Sequence, residues 1–124
     1  MKLILIIGTG GFLGSVARYL ATISIHRYLP VSFPYGTFVV NITGCFLIGL
    51  FYGFSERGNL MSTEWRMFLT VGFCGGFTTF STFANDNMAL LRDSEFMIFA
   101  LYTSLSVFIG LSATYLGSLL TKVF

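Results

Sequence analysis

The chain has 124 residues, 55% of them hydrophobic and only 10% charged, with a net charge of +2. So little polar surface cannot cover a water-soluble domain, which excludes a soluble enzyme or a nucleic-acid-binding module and predicts an all-α integral membrane protein. Four apolar runs, Leu3 to Ile25, Pro34 to Phe54, Thr63 to Leu91 and Phe96 to Leu120, each approach or exceed the ~20 residues that cross a hydrocarbon core. Little lies outside them, so residues 1–124 read as a single four-helix transmembrane domain with spans of about 3–25, 34–54, 63–91 and 96–120.

Span one holds Gly8-Thr9-Gly10-Gly11-Phe12-Leu13-Gly14-Ser15, a superficial glycine loop. A dinucleotide fingerprint fails at Leu13, whereas Gly10 and Gly14 make a GxxxG suited to close helix contact. A signal peptide ending near Ser15-Val16-Ala17 would leave three spans and discard this face. His26 and Arg27 stand near the end of the span, in the headgroup region, and His26 is given no role. Span two opens after Pro34 and contains Asn41, its only strongly polar residue. An amide there is either interhelical glue or a donor aimed at a permeating ion.

Span three carries Val71-Gly72-Phe73-Cys74-Gly75-Gly76-Phe77-Thr78-Thr79-Phe80-Ser81-Thr82-Phe83 after a plausible N-cap at Ser62. Gly-Gly followed by Thr-Thr is a poor helix interior, so the span is expected to break between Gly75 and Thr79, at mid-membrane. The N-terminus of the second half would then favour an anion, and the carbonyls ending the first half would need a donor or cation. Gly75 and Thr78 are the natural positions for exposed carbonyls. If two chains meet there, four oxygens could surround one small monovalent cation such as Na+, held structurally and not transported. Phe80 and Phe83 share a face beside Ser81 and Thr82; their positive ring edges either line a path for a small anion or serve as packing.

Span four places Tyr102, Ser106, Gly110, Thr114 and Ser118 at successive i+4 positions, a ridge that either seats a neighbouring helix or lines a pore with hydroxyl donors. Glu56, Glu64, Asp93 and Glu95 fall at span ends or in loops and Asp86 toward the far end of span three, so spans one, two and four bury no acid. Proton-coupled cation transport normally depends on such carboxylates, and their absence suits an anion. Cys45 and Cys74 lie in spans and read as small apolar packers. Lys2, Arg57, Arg66 and Lys122 balance Arg27, Arg92 and the deeper Arg18, leaving almost no positive-inside bias. Such a chain either takes one orientation set by a few charges or inserts both ways, and two opposed copies would form an inverted dimer.

The combination of Gly10-Gly11-Phe12-Leu13-Gly14 with Arg18-Tyr19, Gly36-Thr37 with Val40-Asn41 and Gly44, and the long motif from Gly72 to Phe83 resembles the Fluc (CrcB) fluoride channels of bacteria, across all four spans. The resemblance implies an antiparallel, dual-topology homodimer in the bacterial inner membrane, with two pores passing fluoride passively and selectively. It implies a structural Na+ at the dimer centre on the backbone carbonyls of Gly75 and Thr78. It further matches Phe80 and Phe83 to the pore phenylalanines, Asn41 to the pore amide, Arg18 to a vestibule base, and Tyr102, Ser106 and Thr114 to a polar track. Gly110 departs from that track, and Asp86 stands where the family often has Glu. Passive export suits weak-acid chemistry, because neutral hydrogen fluoride enters and leaves fluoride trapped in a less acidic cytoplasm. The alternatives are a small multidrug-type proton-coupled exporter, which normally needs a first-span carboxylate absent here, and a non-transporting assembly subunit.

Overall fold

The computed structural model describes residues 1–57 and 61–123. These form α1 (Lys2–Tyr28), α2 (Tyr35–Ser55), α3 (Thr63–Met67), a π-helical stretch (Phe68–Cys74), α4 (Gly75–Phe77), α5 (Phe80–Arg92) and α6 (Phe96–Leu120), with no strand among the described residues. Four segments are long and apolar enough to cross a membrane: Lys2–Tyr28, Tyr35–Ser55, the interrupted Thr63–Arg92, and Phe96–Leu120. Ser62 caps α3 as expected, its Oγ accepting from the Trp65 N–H at 3.2 Å. Lys2 lies 4.0 Å from Glu64, and Arg57 donates to the Thr121 carbonyl, so the two termini and the loop before α3 share one end of the bundle.

Two helix pairs build the body. α2 packs along α6, and α1 packs along the π-helical stretch and α4. Both contacts are backbone against backbone. A Cβ at Gly10 would lie 2.6 Å from the Phe68 carbonyl oxygen, one at Gly14 would collide with the Phe73 carbonyl, and those at Gly49 and Gly117 would strike the carbonyls of Thr114 and Phe46. Helices in lipid gain nothing from hiding apolar surface, so close approach through small residues replaces a conventional core. Accordingly the fully buried large side chains are few: Tyr102 and Val40, with Thr121 near the bundle end.

The third span breaks inside the expected window from Gly75 to Thr79, at its threonine end. Gly75 and Gly76 remain helical, and the break is confined to Thr78 (φ −87°, ψ 159°) and Thr79 (φ −151°, ψ 114°). Gly76 is tied down from both sides: a Cβ there would sit 2.5 Å from the Gly11 carbonyl oxygen, and Arg18 holds its own carbonyl. The π-helical stretch before the break, Phe68–Cys74, was not expected. Local i→i+5 bonding commonly accompanies functional sites, and here it widens the helix where α1 presses its glycines against it.

Candidate functional site

The break releases backbone groups, and side chains of Asn41, Thr79 and Arg18 meet several of them. The Thr79 N–H would bond the Gly75 carbonyl in a continuous helix. Instead it donates to Asn41 Oδ1 at 2.8 Å, while Asn41 Nδ2 donates to the Thr79 carbonyl at 3.1 Å. One carboxamide thus pairs with one residue's backbone as a neighbouring strand would. The Thr82 N–H, the helical partner of the Thr78 carbonyl, turns to Thr79 Oγ1 at 3.1 Å, which N-caps α5. Arg18 Nε donates to the Gly76 carbonyl at 3.0 Å. Of the carbonyls at the break, Gly75 and Thr78 are the two whose helical donors have been redirected by these side chains.

Gly75 and Thr78 both line a groove of about 410 Å³. Asn41, Thr79, Phe80, Phe83 and Ser106 share its wall with Gly75 and Thr78, so residues from α2, the interrupted span and α6 converge on one surface. Phe80 is 79% exposed along it. The Phe80 and Phe83 rings lie 5.7 Å apart at 42°, tilted enough that one edge can turn toward the groove. A second cavity of about 220 Å³ is lined by Arg18, Ser15, Tyr19, Thr22, Thr37, Thr79 and Thr82. Thr79 and neighbouring Val40 and Asn41 form the partition between the two spaces. Ser81 is exposed, its Oγ 3.3 Å from Thr79 Oγ1.

The ridge on α6 is divided. Ser106 lines the groove. The Thr114 hydroxyl lies within hydrogen-bond distance of two carbonyls, Cys45 at 3.0 Å and Gly110 at 3.1 Å, joining α6 to α2. Tyr102 is wholly buried, with its hydroxyl on Asp86 Oδ2 at 3.0 Å and its ring 5.0 Å from Phe83. Cys45 and Cys74 both contribute to the groove as free thiols.

Sequence reasoning missed the pairings that hold the site: Arg18 with Gly76, Tyr102 with Asp86, and both bonds of Asn41 to Thr79. The rule that a polar group inside a span must find a partner marks Arg18, Asn41 and Asp86 as the residues to question. It does not name the partners, which lie 58, 38 and 16 positions away.

A model of the family described as "CrcB-like protein, Camphor Resistance (CrcB)" matches residues 5–118. The chain is 52% identical over 122 residues to the fluoride-specific ion channel FluC of Flavobacterium psychrophilum, covering 98% of each protein. It is 53% identical over 127 aligned positions to the protein of that name from Bacteroides fragilis, covering all of this chain and 99% of the relative. A third, from Chlorobaculum tepidum, is 45% identical over 123 residues, covering 99% of this chain and 97% of the relative. With a family match across nearly the whole chain and relatives matched end to end, this chain belongs to the CrcB-like family.

Proposed function

We propose that this chain is a passive fluoride channel of the bacterial inner membrane, assembled as an antiparallel, dual-topology homodimer and releasing fluoride from the cytoplasm. The full-length relatives carry the name fluoride-specific ion channel, and the family is one of channels, not enzymes. The observation that carries the reading is the interrupted helix. Its second half starts within the span, so the positive end of α5 and the edges of Phe80 and Phe83 stand beside the donors Asn41, Ser81, Thr82 and Ser106. Together they offer partial positive charge with no fixed cation to trap the ion. Arg18, at the second cavity, would attract anions from water, and Ser106 offers the α6 hydroxyl at the groove, while Tyr102 and Thr114 shape that side through the bonds they make to Asp86 and to the Cys45 and Gly110 carbonyls. An inside-negative potential of 100 mV favours exit of one anion by about 2.3 kcal/mol, so no coupling is required.

What one chain leaves uncovered supports the dimer. Lipid offers no donor to the Gly75 and Thr78 carbonyls, and each unmet group costs several kcal/mol. A second copy across the groove covers them, and the near-absence of charge bias suits opposite orientations. Four carbonyl oxygens, two from each chain, fit a small hard cation, and we assign them a structural Na+. When bound it would supply the positive charge that satisfies these oxygens. Dialysis into buffer with an organic cation replacing sodium is expected to lower the thermal midpoint of the dimer and reduce flux. Indifference of both to sodium would remove the site.

The channel itself is tested by fluoride efflux from liposomes containing only the purified protein, read with a fluoride electrode and repeated with chloride. Fast fluoride release without comparable chloride release is expected, and equal release of both, or none, would overturn the reading. Phe80→Ile and Phe83→Ile should each slow efflux by about fivefold while the dimer stays assembled, since loss of a ring edge is worth about 1 kcal/mol. A proton-coupled multidrug-type exporter is not favoured: the first, second and fourth spans bury no acid, and Asp86 is already engaged by Tyr102.

A further inference from the structure

Asp86 is a carboxylate within the interrupted span, toward its far end, in a protein otherwise suited to an anion, where its charge should repel the passing ion. Its surroundings give it a different task. Tyr102 donates its hydroxyl to Asp86 Oδ2 at 3.0 Å, and Tyr102 has no exposed surface. A phenol carries a single proton. While that proton points at Asp86 it is not available to an ion in the groove. The Tyr102 ring, by contrast, is gripped on several sides: 5.0 Å from Phe83 at 50°, and 5.4 Å from Phe33 at 82°, edge to face. Beside this contact the Thr103 hydroxyl donates to Asn87 Oδ1 at 3.3 Å, a second tie between α5 and α6. Asp86 therefore fixes one end of a chain of contacts whose other end is a ring of the groove wall.

We infer that Asp86 is a positioning residue: as the fixed acceptor for the Tyr102 hydroxyl it sets the tilt of the Phe83 ring, and it acts through the hydrogen bond it accepts, not through its charge. This rests on the channel reading for the part Phe83 plays. A carboxylate serves because a charge-assisted bond is stronger than a neutral one, and the bond in turn masks the charge from the pathway.

The test measures fluoride efflux for Asp86→Ala and Asp86→Asn in the intact dimer, together with the 19F NMR line of a 4-fluorophenylalanine placed at position 83, recorded in fluoride-free buffer. Asp86→Ala leaves a buried hydroxyl without its acceptor and should slow efflux by about tenfold and shift or broaden the ring line. Asp86→Asn retains an acceptor oxygen and should restore efflux to within about twofold, with the line in place. Tyr102→Phe should match Asp86→Ala, and the double variant should be no slower than either. Asp86→Asn as slow as Asp86→Ala would assign the effect to charge, and an unmoved ring line in Asp86→Ala would break the link to Phe83; either result overturns the inference. Should the unmodified protein pass no fluoride, the channel reading falls separately, and the ring line still decides whether Asp86 sets Phe83.

Discussion

Asn41→Leu is expected to lower fluoride flux at least about tenfold and to reduce the thermal midpoint of the assembled protein, because it strips two partners from the half-buried backbone of one residue. Asn41 receives the Thr79 N–H at 2.8 Å and donates to the Thr79 carbonyl at 3.1 Å. Leucine matches the volume and supplies neither group. Each orphaned group costs roughly 1–3 kcal/mol in a protein interior, and no lipid or neighbouring helix stands ready to replace the amide. The damage spreads, since Thr79 Oγ1 also caps α5 through the Thr82 N–H, and a displaced Thr79 carries the first turn of α5 and Phe80 with it. Asn41→Asp separates the two bonds. It keeps an acceptor for the N–H but sets a carboxylate oxygen against a carbonyl, so its flux and midpoint should also fall. Efflux from liposomes and melting in detergent provide the check, and normal values for Asn41→Leu would show that the break holds without it.

A larger effect is expected from Gly49→Val, which should abolish the folded protein as judged by a monodisperse peak in detergent. At Gly49 an added Cβ collides with the Thr114 carbonyl oxygen and lies 2.8 Å from its carbon and 3.0 Å from its Cα. These are backbone atoms of α6, which cannot rotate aside, so the two helices must separate along their main contact. Overpacking typically costs 1–3 kcal/mol when side chains can yield, and roughly more than that is expected here, where none can. Thr114 lies in the same contact, its hydroxyl 3.0 Å from the Cys45 carbonyl, so separation also breaks that tie. Gly8→Ala is the matched control. Nothing lies within 4 Å of a Cβ there, and the substitution should be neutral or slightly stabilising, within about 1 kcal/mol. A folded Gly49→Val protein with normal melting would show that α2 and α6 are not held at this distance.

The four spans were legible because apolar runs of this length have few other uses, and the Gly10 and Gly14 pair because its spacing puts both on one face, where the structure buries them against the Phe68–Cys74 stretch. The break was legible in Gly75-Gly76 and Thr78-Thr79, and it falls at the threonine end of that window. Local propensity puts the fault at the glycines, whereas contacts from α1 keep both helical and pass the fault on to the threonines. The π-helical stretch has no sequence signature of its own and depends on what presses against it. For Asn41 the sequence left glue and ion donor equally open, and the structure places both atoms of its amide on the Thr79 backbone. The α6 hydroxyls read as one track because helical spacing cannot tell which protons are already given away. Only the pairing of Tyr102 with Asp86 and the position of Thr114 between two carbonyls distinguish them from Ser106.

The bonds that lock the break also bear on how such a protein is regulated. The Thr79 peptide is clasped on both sides by Asn41, the Gly76 carbonyl is held by Arg18 and α5 is capped by Thr79, so the backbone at the break is tied to its neighbours by side chains. Gates move loops or domains over microseconds to milliseconds, whereas side-chain rotations finish within nanoseconds. On the proposed channel reading, a pore framed in this way would conduct without moving the backbone at the break. A cell would then control the leak by the number of copies it makes, and permeation through a single molecule would continue without bursts or closures.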